Sequence, residues 1–132
     1  MIWNLGSINA DNFYQLPHLP QPGETLAATA FDQGLGGKGA NQSVAAARAG
    51  SDLVHIGAVG PEGVWCLDTL KGAGVDVSHI AQLGIATGHA NIVVDAEGEN
   101  QIILYPGANT ALTKDQIDAA LASAKTSDTL IL

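Results

Sequence analysis

Two stretches carry side chains whose type and spacing could do chemistry. Near the start, Asn9 and Asp11 follow a short apolar segment, Ile2-Trp3-Asn4-Leu5-Gly6. Residues two apart on an extended segment point the same way, so this amide and carboxylate could together grip vicinal hydroxyls. The same pair would also serve as an Asx-type turn that satisfies local backbone. The second stretch begins with Gly34, Gly36, Gly37 and Gly39 and runs into the alanine-rich segment from Ala40 to Ala49, closed by Gly50. A helix there would find a natural left-handed stop at that glycine. Glycines let a ligand approach the main chain, and the first-turn N–H groups have no intrahelical acceptor. The positive end of the helix dipole and the tilt of side chains toward the N-terminus, Asn41 included, suit a hydroxyl-rich or anionic ligand. A tight loop that merely lets a small-residue helix pack on a sheet would have the same composition.

Two nucleotide motifs can be tested on this stretch. A Walker phosphate loop needs G-x-x-x-x-G-K-[ST], but Asp32 stands at its first glycine and Gly39 at its Ser/Thr. The dinucleotide fingerprint G-x-G-x-x-G is matched by Gly34, Gly36 and Gly39, with Asp52 at a suitable distance. Asp52, however, precedes the strand Leu53-Val54-His55-Ile56 that it should end, and no long apolar strand feeds into Gly34. That fingerprint remains a weak alternative.

The run Gly36-Gly37-Lys38-Gly39-Ala40-Asn41-Gln42-Ser43-Val44-Ala45, with the opening Leu5-Gly6-Ser7-Ile8-Asn9-Ala10-Asp11, resembles the ribokinase-like (PfkB-type) carbohydrate kinases. Thr87-Gly88, Glu97-Gly98-Glu99-Asn100 and Gly107-Ala108-Asn109 follow in the family's order and approximate spacing. The resemblance covers essentially the whole chain, while family members run to roughly twice its length. It implies that Asn9, Asp11 and Asn41 hold sugar hydroxyls, that Gly36 and Gly37 admit the ring close to the backbone, and that Lys38 contributes near the helix start. It also implies that Ala90, Ile92 and Leu104 pack on the apolar side of the ring; on pattern alone they read as ordinary core. The family's catalytic Gly-x-Gly-Asp is not matched by Gly72-Ala73-Gly74-Val75-Asp76, where Val75 intervenes and the segment follows a helix. No catalytic residue is therefore assigned.

The elements that must position these residues read as α/β. The expected architecture is a mainly parallel sheet flanked by helices, a Rossmann-type three-layer arrangement, with a small β lid from insertions near residues 11–33 and 86–106. Leu53 to Gly60 is apolar enough for a strand covered on both faces. Phe13 to Leu16 and Thr25 to Phe31 read as short edge-like strands around a proline-dense loop, and Ile80 to Gly84 as a further strand. Gly88 to Asp95 and Gln101 to Tyr105 read as a hairpin. Thr113 and Gln116 form a capping box at the last helix, with Ile117, Ala120, Leu121 and Ala124 on its buried stripe. His55 and Cys66 read as core residues, and His18 as exposed loop. The final apolar strand, Thr129 to Leu132, looks cut, so residues 1–132 read as the sugar-binding portion of a longer domain.

The chain has 132 residues, 5 basic and 13 acidic, a net charge of −8 that argues against nucleic-acid and anionic-membrane surfaces. One cysteine rules out an internal disulfide and fits a reducing compartment. No apolar run approaches the roughly 20 residues of a membrane-spanning helix, so a cytoplasmic protein is expected. The resemblance implies the sugar-binding half of an ATP-dependent kinase acting on a primary hydroxyl of a pentose, D-ribose in particular. It implies ATP with Mg2+ and a monovalent cation such as K+, bound mostly outside this chain, and a homodimer formed through the lid. A fructokinase, a nucleoside kinase, a non-catalytic sugar-binding module and a dinucleotide-dependent oxidoreductase are the other readings.

Overall fold

A computed structural model describes residues 1–132. Its centre is a parallel sheet of four strands, β1 (Ile2–Leu5), β4 (Leu53–Val59), β5 (Asp76–Gln82) and β8 (Thr129–Ile131), in the order β5-β4-β1-β8. Every residue of β4 is buried, as expected of a strand covered on both faces. Residues alternate between those faces. Leu53 and Val59 join the cluster with Leu67, Leu70 and Val75, against which Val44 and Ala47 pack; Val54 and Ile56 join Trp3 and Ala120 on the opposite side.

Helices α1 (Lys38–Arg48) and α2 (Val64–Gly72) thus cover one face and α3 (Lys114–Leu121) the other, making three layers. Helix α1 stops as its sequence predicts, with Gly50 at φ +91°. Helix α3 has its capping box: Thr113 Oγ1 accepts from the Gln116 N–H and Gln116 Oε1 accepts from the Thr113 N–H. Its expected stripe is too long by one turn, because the helix ends at Leu121 and Ala124 lies beyond it.

A second sheet is built from β2 (Asn9–Gln15), β3 (Ala30–Gly36), β6 (Gly88–Val94) and β7 (Asn100–Tyr105), in the order β3-β2-β6-β7. The outer pairs are antiparallel and the central pair, β2 with β6, is parallel. Its first pair of strands reaches from residue 9 to residue 36, wider than the 11–33 read from sequence.

Other expected strands shift as well. Residues 17–29 run mostly as irregular chain, and β3 begins only at Ala30. The strand placed at Ile80 to Gly84 lies at Asp76–Gln82, because the chain enters it directly from the turn at Gly74. Gly34 and Gly36, expected in a loop, are the end of strand β3. That placement removes the dinucleotide reading, which requires the glycines in the first turn of a βαβ unit. Only Gly37 takes the left-handed turn, at φ +90°, between β3 and α1.

Candidate sugar site

The site lies where the two sheets meet. Strand β1 ends at Leu5, Gly6 and Ser7 cross over, and β2 starts at Asn9. A Cβ at Gly39 would overlap the Gly6 backbone, and one at Gly6 would overlap Gly39, so the helix start is pressed onto the crossover. The Ala40 N–H donates to Ser7 O at 2.9 Å. Among the first-turn donors, those of Lys38 and Gly39 are thereby left for a ligand or solvent, while Asn41's N–H serves Gly37 O.

A buried chain of hydrogen bonds fixes this junction from below. Asn4 Nδ2 donates to Gly39 O and to Ser43 Oγ, each at 2.9 Å. Ser43 Oγ lies 2.7 Å from His55 Nδ1, and His55 Nε2 lies 3.1 Å from Gly6 O. A carbonyl can only accept, so Nε2 carries the proton and Nδ1 accepts from the serine hydroxyl. Asn4, Ser43 and His55 are all fully buried. Burial pushes the His55 pKa from the usual 6.5 down to about 4, partly opposed by the Gly6 carbonyl. The core reading of His55 stands, but Asn4 and Ser43 were missed. The available signal was an amide in the middle of an apolar strand, since a buried amide needs partners.

Above the junction, one face of the second sheet collects the predicted residues. Side chains directly opposite in a sheet share a face. The register pairs Asn9 with Gly36 and Gly88, Asp11 with Gly34 and Ala90, and Ala90 with Leu104; Ile92 follows on the same face. Asp11 lies over Gly36, where any Cβ would strike its carboxylate. Asp11 Oδ1 is buried without a hydrogen-bond partner, and burial raises the carboxyl pKa above its ordinary 3.8. A buried acceptor with nothing to accept from costs free energy until a donor arrives. Asp11, Asn9, Gly36, Gly37 and Ala90 are therefore brought together. Lys38 and Asn41 sit exposed on the adjoining first turn of α1.

The apolar residues do not form the ordinary core that their pattern suggested. Ala90 is buried, but all of β7 is exposed, Leu104 at 62%. The helices lie on the parallel sheet, and only the base of the second sheet, at Leu35, reaches their core, so β7 has no layer against it. Thr87 has a structural place that its sequence context does not show. It is fully buried at the entry to β6, its Oγ1 accepting from the Gly60 N–H at 2.8 Å and its N–H donating to Glu62 Oε1 at 2.6 Å. The short Pro61-Glu62-Gly63 loop thus braces the base of the second sheet.

A family model described as pfkB family carbohydrate kinase matches residues 2–131. The chain belongs to this family. Ribokinase of Haemophilus influenzae is 39% identical over 97% of this chain and 43% of its own length. A crystal structure of ribokinase from Cryptococcus neoformans var. grubii serotype A in complex with ADP superimposes with TM-score 0.78 at 42% identity, covering 86% of this chain and 36% of that one. An Arabidopsis thaliana ribokinase complexed with ribose and ATP gives TM-score 0.78 at 31% identity, covering 89% and 41%. The chain spans about two-fifths of the length of such pfkB relatives. No helix is long and apolar enough to cross a membrane.

Proposed function

We propose that this chain is the sugar-binding portion of an ATP-dependent carbohydrate kinase whose acceptor is a primary hydroxyl of a pentose, D-ribose in particular. The observation that carries the reading is Asp11: a buried carboxylate oxygen with no partner, held over a glycine in a pfkB-family chain. A sugar hydroxyl donating to Oδ1 would meet that need. Asn9 would also hold a sugar hydroxyl, Gly36 and Gly37 would let the ring reach the backbone, and Lys38 and Asn41 would close the helix side. Ala90, Ile92 and Leu104 would cover the apolar face of the ring.

ATP would supply the phosphoryl group, and its transfer depends mainly on positioning and electrostatics. The residues of this chain do not fit a triphosphate cradle: the Ala40 and Asn41 N–H groups are already given to Ser7 and Gly37, which leaves only those of Lys38 and Gly39 at the helix start. ATP, Mg2+ and a monovalent cation such as K+ are therefore assigned to the part of full-length relatives outside this span. The contribution of this chain is to orient the acceptor and, with the second sheet as a lid, to keep water from competing.

The opposite face of that sheet exposes Phe31, Ile103 and Tyr105, in register with Tyr14, Asn91 and His89. An apolar patch of this kind on a sheet favours a homodimer through the lid. A reducing, cytoplasmic setting is the reading that the lone buried Cys66 supports.

The test is calorimetric titration of D-ribose into the 132-residue chain and its Asp11→Ala variant. Losing a hydrogen bond to a charged acceptor should weaken binding about ten- to a hundredfold. Binding should also fall as pH drops through the Asp11 pKa, because the protonated acid loses acceptor capacity. Equal affinity in the two proteins would remove Asp11 from the site. Sugar-dependent ADP release by the isolated chain should be absent, and robust turnover would overturn the assignment of the catalytic groups elsewhere.

A further inference from the structure

Asn109 follows β7 in a short 3-10 turn, Gly107–Thr110, at the point where the chain leaves the second sheet. Its side chain bridges back to the start of β2, a hundred residues earlier. The Ile8 N–H donates to Asn109 Oδ1 at 2.8 Å, and Asn109 Nδ2 donates to Asn9 Oδ1 at 2.8 Å. Gly88 makes room for this bridge, since a Cβ there would overlap Asn109 Nδ2 and come within 2.8 Å of Asn9 Oδ1.

The bridge has only one polarity. A backbone N–H can only donate, so the Asn109 atom facing Ile8 is the oxygen and the atom facing Asn9 is the nitrogen. Asn9 must then turn its own oxygen toward Asn109. Its Nδ2 is left pointing away from that contact, two residues from Asp11 on the same face of β2. We infer that Asn109 is a positioning residue that locks the Asn9 amide with its NH2 toward the ligand, so that the site presents a donor beside the Asp11 acceptor.

This rests on the reading of the site as a sugar site and assigns its specificity. A hydroxyl that gives its one proton to Asp11 can still accept from Asn9. With the amide reversed, Asn9 and Asp11 would both be acceptors, and one hydroxyl could not satisfy the two. The site therefore selects a ligand that offers, at this corner, a hydroxyl acting as donor and acceptor at once.

Two variants separate this role from a merely structural one. Asn109→Asp keeps an acceptor for the Ile8 N–H but offers Asn9 a second acceptor, which turns its NH2 inward and its oxygen to the ligand. Asn109→Leu removes both bonds and leaves Asn9 free to rotate. D-ribose affinity is measured for each by calorimetry. In the ligand-free chains, NMR reads the scalar coupling across the hydrogen bond from Asn109 Nδ2 to Asn9 Cγ.

The coupling is expected in the wild type. Affinity should then rank wild type, Asn109→Leu, Asn109→Asp, with the last weaker than wild type by about fivefold or more. Asn109→Asp binding like the wild type, or better than Asn109→Leu, would mean that Asn109 only braces the turn and would overturn the lock. Absence of the coupling in the wild type would overturn it too. A wild-type chain that shows the coupling but no ribose response would instead overturn the sugar reading and leave the lock standing.

Discussion

The two sheets of this protein are both four-stranded, yet they are stabilised in different ways. In the parallel sheet, β4 is buried from end to end and helices cover both faces. In the second sheet, β7 is exposed from end to end, and only the base of the sheet, at Leu35, packs against the helix-covered core. The first sheet buries apolar surface, which scales with area removed from water. The second is held by its ladders and by polar ties at its base, including Asn109 to Asn9 and Thr87 to Gly60. A region of this kind can present apolar residues and an unpaired carboxylate to a ligand because nothing in the chain competes for them.

Matched substitutions should break or sharpen this contrast. The largest effect is expected in the parallel layer, where Leu70 is fully buried. Leu70→Ala should cost about 2–5 kcal/mol in urea unfolding, and a cost comparable to a surface change would mean the core is not where the burial pattern places it.

Acid should act on the two regions with opposite signs. His55 has a pKa lowered from 6.5 to about 4, so its neutral form is favoured on folding. Its contribution is complete above pH 6.5 and is lost as pH falls toward 4, by about 3 kcal/mol. Asp11 has a raised pKa, so ionising it costs folding free energy as pH rises through its titration. Unfolding curves between pH 7 and 4, for the wild type and for His55→Gln, should show the acid loss in the wild type and a flatter profile in the variant. Identical slopes would remove His55 from the acid response.

The smallest effect belongs to the outer face of the second sheet. Ile103 is 71% exposed, and Ile103→Ser should change the stability of the monomer by less than about 0.5 kcal/mol. Sedimentation should show it weakening the proposed dimer instead. A large loss of monomer stability would show that β7 is packed after all.

Much of the parallel layer was legible because its signals are local. The run Leu53 to Val59, the Gly50 stop and the Thr113 capping box each act within a few residues of themselves. The second sheet was harder to read. Its glycines, Gly34 and Gly36, looked like loop residues but belong to the last residues of a strand, with Gly36 pressed against Asp11. A missing side chain can mean a turn or a close neighbour, and the sequence does not distinguish these. The buried Asn4, Ser43 and His55 chain joins residues up to 51 apart, from β1 to β4, so no single window contained it.

The sequence by itself determined the α/β class, the glycine-led helix with its Gly50 stop, and the placing of Asn9 and Asp11 on one face, since each follows from periodicity, from glycine placement or from a spacing of two. Tertiary structure alone decided that β7 would stay uncovered and that Asp11 Oδ1 would lack a partner. It also decided which atom Asn9 turns toward the site. That orientation depends on a hydrogen bond from Asn109, which only the return of the chain from the second sheet brings within 2.8 Å.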